Sequence, residues 1–95
     1  MELNVEEFMK TKMGVSLYII ISRWDHASEH EANNDSECRY WKDVCCVCQH
    51  EWEIFKLALK QFYGIEFFVT RTDDYFGVCT EDESVWLMKI YRKEE

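Results

Sequence analysis

The chain has no proline and only 3 glycines. That excludes collagen-like, linker-like and glycine-rich phosphate-loop designs, which rest on a fixed φ or on backbone without Cβ. Positive charge is scarce too: 11 Lys and Arg stand against 19 Asp and Glu, for a net charge of −8. On a small body that field repels phosphate backbones and anionic lipid, so direct nucleic-acid binding is not expected. No long apolar run occurs either. The longest stretch, Val15 to Ile21, is interrupted by Ser16 and is far short of the roughly 20 residues that span a bilayer. The start, with Glu2, Glu6 and Glu7 ahead of any apolar segment, lacks the basic-then-apolar order of a secretion signal. Cysteines number 5, an odd set in which Cys45 and Cys46 are adjacent, and reduced thiols fit that better than a disulfide framework. The expected location is therefore the cytoplasm (a host cell's cytoplasm if the chain is viral), with no membrane partner.

What is present is enough to fold. A hydrophobic share of 47% with 16% aromatics exceeds what a disordered chain carries, and 95 residues suit one globular domain, 1–95. A short amino-terminal helix is expected, with Asn4 as N-cap, Glu7 three residues on, and Leu3 and Phe8 placed as a hydrophobic staple. Gly14 would end it by taking the left-handed conformation. Val15 to Trp24 alternates as a strand, with Val15, Leu17, Ile19 and Ile21 on one face and Ser16, Tyr18, Ile20, Ser22 and Trp24 on the other. Asp25 to Glu37 then reads as an exposed acidic loop.

The strongest pattern follows. Trp41, Cys45, Cys48, Trp52, Phe55, Leu59 and Phe62 recur at alternating spacings of four and three, the signature of one apolar helix face. The spacing predicts a helix from about residue 36 to 63, roughly 40 Å at 1.5 Å per residue, closed by Gly64. That exceeds the span of a short-stranded sheet, so a break or an exposed end is expected near Cys45–Cys46. Ile65–Arg71, Tyr75–Thr80 and Val85–Arg92 read as strands of an antiparallel meander. The expected fold is α+β, in the order α-β-α-β-β-β, with a four-stranded mixed sheet whose first strand pairs in parallel through the crossing helix.

The candidate chemistry is sparse. Cys38, Cys45, Cys46, Cys48 and His50 raise zinc, yet they fall on one expected helix, whereas zinc ligand pairs usually come from separate elements. Cys45 and Cys48 lie in the apolar stripe, where a reduced thiol is a small buried hydrophobe. His26 and His30 are four apart, but the segment around them lacks the apolar periodicity that would fix a helix. Cys79 has no nucleophile signature around it. No enzyme activity, metal or cofactor is expected.

The acids are more informative. With the first two strands parallel, Asp25, Glu29, Glu31, Asp35, Glu37, Asp73, Asp74, Glu94 and Glu95 would emerge at one end of the sheet. A soluble rim is one reading of them; an acidic patch that imitates phosphates and occupies a basic groove is the other. Tyr18, Trp24, Phe68, Tyr75, Trp86 and Tyr91 are more aromatics than one helix covers, so some must be half exposed: either the amino-terminal helix closes a core over them on the second face, or they are anchors of a partner or dimer surface. The candidate partner-binding residues are accordingly Asp25, Glu29, Glu31, Asp35, Glu37, Asp73, Asp74, Trp86 and Tyr91.

Small, acidic, cysteine-containing and without a catalytic motif, the chain resembles in general look the phage-encoded inhibitors of host defence, the anti-CRISPR proteins among them. The resemblance covers no specific residue. It implies a non-enzymatic module that blocks a basic, nucleic-acid-handling protein or complex by steric or charge mimicry, without touching nucleic acid itself. The rival readings are a metal-binding or thiol-dependent regulator using Cys38–His50 and a homodimeric structural protein.

Overall fold

The computed structural model describes residues 3–32 and 38–91, side chains excepted at 31, 32 and 38. The elements run α1 (Val5–Phe8), α2 (Lys12–Ala32), α3 (Cys38–Tyr63), β1 (Phe67–Arg71), β2 (Tyr75–Thr80) and β3 (Trp86–Tyr91). The protein is α+β, but its sheet has three strands, not four, and two long helices cover it.

The opening turn follows its sequence. The Glu7 N–H donates to Asn4 Oδ1 at 3.2 Å, and Phe8 is buried with Leu3 packed against the same core. Gly14 does not end that helix. Thr11 starts a second one: its hydroxyl accepts from Gly14 N–H at 3.1 Å and donates to Phe8 O at 2.6 Å. Gly14 is required because α1 folds back on it. A Cβ there would stand 2.2 Å from Phe8 O and 2.7 Å from Met9 Cα.

The expected strand Val15–Trp24 is helical, and so is the expected loop as far as Ala32. Alternation misled because Val15, Ile19, Ile20 and Ile21 are β-branched and apolar residues occupy both parities. The buried set, Leu17, Ile20, Ile21, Ala27 and Ser28, instead follows the helical i, i+3, i+4 rule. Beyond Trp24 nothing breaks a helix, and Ala27, Glu29, Glu31 and Ala32 are good to fair helix formers. With that strand gone, the parallel pair and the mixed sheet go with it.

Helix α3 ends as its sequence dictates, at Gly64 with φ 69°, and it is unbroken at Cys45–Cys46. Cys48, Trp52 and Leu59 of its stripe are buried, but Phe62 is 61% exposed. The sheet is an antiparallel meander in order β1-β2-β3. Its inner face gives Phe67, Phe76, Val78, Leu87 and Met88 to a core shared with Phe8, Leu17, Ile21, Trp52 and Leu59. α2 and α3 form an antiparallel pair whose far end outruns this core, which gives the molecule a long axis of 46 Å.

Candidate interaction site

The sheet has a covered and an uncovered side, and the uncovered side is where four of the expected residues meet. Strict alternation along β3 would send Trp86 and Tyr91 to opposite faces. A bulge prevents that: Cys79 pairs with Trp86 while the preceding Val78 pairs with Met88, so Leu87 is the extra residue. Leu87 and Met88 both turn inward, and Trp86, Lys89 and Tyr91 share the outer face.

On that face Tyr75 lies against both Trp86 and Tyr91, with ring centroids 5.6 and 5.9 Å apart. The Trp86 ring covers Gly77, where a Cβ would come within 2.9 Å of it. The Lys89 ammonium sits 4.1 Å from the Trp86 centroid and 4.8 Å from that of Tyr75, a double cation–π contact. Trp86 Nε1 donates to Glu83 O at 3.0 Å, so the indole is fixed. This ladder shields backbone that no helix covers. It also presents the half-buried rings of Tyr75 and Trp86 and the 65% exposed Tyr91 as an aromatic surface, with Lys89 exposed over it.

Acids flank the ladder at both ends. Asp73 and Asp74 are exposed in the β1–β2 hairpin, where Thr72 Oγ1 accepts from the N–H groups of Asp74 and Tyr75, both at 3.2 Å. Glu81, Asp82 and Glu83 form the β2–β3 turn. Hydrogen bonds from the Ser84 and Thr80 hydroxyls, each 2.7 Å, and from the Ser84 N–H hold the Asp82 carboxyl well below the usual carboxylate range, at about 2. Beside that turn, Gly64, Ile65, Glu66, Phe68, Thr80, Glu81 and Asp82 line an open groove of about 470 Å³. Its charged lining is wholly acidic, and Phe68 supplies an aromatic wall over whose ring the Lys56 ammonium stands at 4.6 Å.

The other expected acids lie elsewhere. Asp25 is on α2 and 8% exposed, and Glu29 is half-buried on the same helix. Trp24 packs on Phe76 with centroids 5.3 Å apart, which brings the middle of α2 to the sheet end that carries Asp73–Asp74. Glu31 is in α2 with its side chain outside the described residues, and Asp35, Glu37, Glu94 and Glu95 lie outside them altogether. The single acidic end expected from a parallel sheet is replaced by two acidic hairpin ends of an antiparallel one. Tyr75, Lys89, Glu66, Glu81 and Asp82 are the surface residues that the candidate set lacks. Tyr75 was readable as an uncovered aromatic, while Lys89 reaches this face only through the bulge.

Comparison with protein-family models, with curated proteins and with solved structures finds no match. The chemistry must be judged from the chain's own residues.

Cys45, Cys46, Cys48 and Cys79 are not disulfide-bonded. Ser28 Oγ and Cys45 Sγ lie 3.6 Å apart between α2 and α3, and burial pushes the Cys48 thiol up, partly offset by Arg23. His26 and His30 do share a helix face, contrary to the loop reading. Their rings are 4.5 Å apart, and His30 stacks on Trp41 at 4.3 Å and 12°. Among the described residues no group of three or more His, Cys, Asp or Glu is placed to hold a metal ion, and no helix is long and apolar enough to cross a membrane.

Proposed function

We propose that the protein is a non-catalytic binding module that docks its outer sheet face, Tyr75–Trp86–Tyr91 with its acidic ends, on a basic surface of a nucleic-acid-handling protein. The observation that carries this reading is the combination on one surface of a pinned aromatic ladder with acids at both hairpins. Aromatic rings supply buried contact area at low entropic cost, and the flanking carboxylates favour encounter with a basic partner. The groove lined by Glu66, Glu81 and Asp82 offers its carboxylates to a Lys or Arg of the partner, while the Phe68 ring beside it already carries the chain's own Lys56. The mode of action is obstruction, as in the anti-CRISPR proteins that the chain resembles in size and charge.

The test is capture from nuclease-treated lysate, followed by association kinetics at two ionic strengths. Trp86→Ala should abolish capture, and Tyr91→Ala, at the 65% exposed end of the ladder, should weaken it with the fold intact. Asp73→Asn with Asp74→Asn should leave folding within about 0.5 kcal/mol of the parent, yet slow association and flatten its salt dependence. Capture that disappears on nuclease treatment, or that survives Trp86→Ala at full strength, would remove this reading.

A further inference from the structure

The two long helices form a layer with the sheet on one side, and nothing among the described residues covers the other. On that open side Ile19 is 48%, Val47 54% and Ile54 68% exposed. Val44 and Val47 also line a groove of about 390 Å³ shared with Arg23, Tyr40, Trp41, Asp43 and Cys48. Two adjacent helices are roughly 20 Å wide and 30 Å long, so the face is comparable to the roughly 800 Å² that each partner gives to a standard interface.

The register of the pair shows what would fit there. Ser28 faces Cys45, and at equal rise along antiparallel helices Arg23 is level with His50–Glu51 and Ile19 with Ile54. Arg23 and Glu51 form no ion pair among the described residues. The open side thus carries Ile19, Val47 and Ile54 along its length, with the cation Arg23 on the α2 half and two anions on the α3 half, Glu51 at the level of Arg23 and Asp43 further along the groove. Such a surface is complementary to itself. A two-fold axis parallel to the helices lays α2 of one copy over α3 of the other without changing level, which sets Arg23 against the second copy's Glu51 and Ile19 against its Ile54.

We propose that this face binds a second copy of the chain, giving a four-helix layer between two outward-facing sheets. The net charge of −8 opposes self-association, but Asp73, Asp74, Glu81, Asp82 and Glu83 sit in the sheet's turns and Glu66 just before β1, away from the contact, which leaves Asp43 and Glu51 as the acids on it. The arrangement also leaves both Trp86 faces free, so it stands or falls independently of the partner-binding reading.

Sedimentation velocity of the whole chain between about 10 µM and about 1 mM detects a dimer even where its dissociation constant is in the high micromolar range. The wild type should be a dimer in the upper part of that range. Ile54→Glu and Arg23→Glu should each weaken dimerisation at least about tenfold, with helical circular dichroism unchanged because both residues are exposed. Arg23→Glu combined with Glu51→Arg should restore it. A wild type that stays monomeric throughout, a dimer indifferent to Ile54→Glu but lost with Trp86→Ala, or a double variant no better than the singles would each overturn the proposal.

Discussion

The near and far halves of the α2–α3 pair are built from different materials. Near the sheet, Leu17, Ile21, Trp52 and Leu59 meet Phe67, Phe76, Val78, Leu87 and Met88 in one core. Beyond Trp24 and Trp52 the buried residues are Asp25, Ala27, Ser28 and Cys48, small or polar groups on helices that cover only each other. The ring cluster of His26, His30 and Trp41 closes that end. A face backed by a third layer demands bulk, whereas a face that meets one helix permits small side chains and close approach. Stability should therefore be concentrated at the sheet end, with the far end deriving its order from the near one.

Matched truncations are the sharpest way to break this contrast. Trp52→Ala should cost about 3–5 kcal/mol, the usual range for emptying a large buried site, read as a lower urea midpoint. Gly14→Ala should come next at about 1–3 kcal/mol. The new methyl meets backbone atoms of Phe8 and Met9 that have no flexible side chain to move, and this outweighs the roughly 0.5–1 kcal/mol that alanine gains over glycine within a helix. Trp41→Ala, half-buried and packed across the helix pair on the His26 and His30 rings, should cost only about 1 kcal/mol. Equal losses for the two tryptophans would mean that the far end is as tightly packed as the core.

The smallest effect should come from the β2–β3 turn. Asp82 titrates at about 2 in the folded state, held there by Ser84 and Thr80. A carboxyl so depressed stabilises the fold above its ordinary pKa of about 3.9 and loses that contribution as pH falls towards 2. Urea midpoints of the wild type and Asp82→Asn should differ at pH 7 and converge towards pH 2. Because the group is exposed and screened, the gap should also narrow in salt.

The same contrast explains what the sequence disclosed. Helix α3 was legible because its stripe keeps the four–three spacing without a gap from Trp41 to Phe62, and the meander because Thr72-Asp73-Asp74 and Glu81-Asp82-Glu83-Ser84 punctuate it. Helix α2 was not. Its stripe shrinks to Ala27 and Ser28 just where periodicity would have exposed it, and its first half is β-branched enough to pass for a strand. The acidic hairpin Asp73–Asp74 and the anchors Trp86 and Tyr91 were readable as residue types. Their common face was not, since it depends on a one-residue irregularity at Leu87 that alternation does not encode.

Helix α2 pairs with α3, β1 with β2 and β2 with β3, each with its sequence neighbour, and among the described residues no strand is inserted across a distant connection. The chain therefore forms most of its pairings by closing short local loops, which lose little entropy. Such topologies reach the native state on the order of milliseconds or faster, and cis proline cannot slow refolding, because the chain contains no proline.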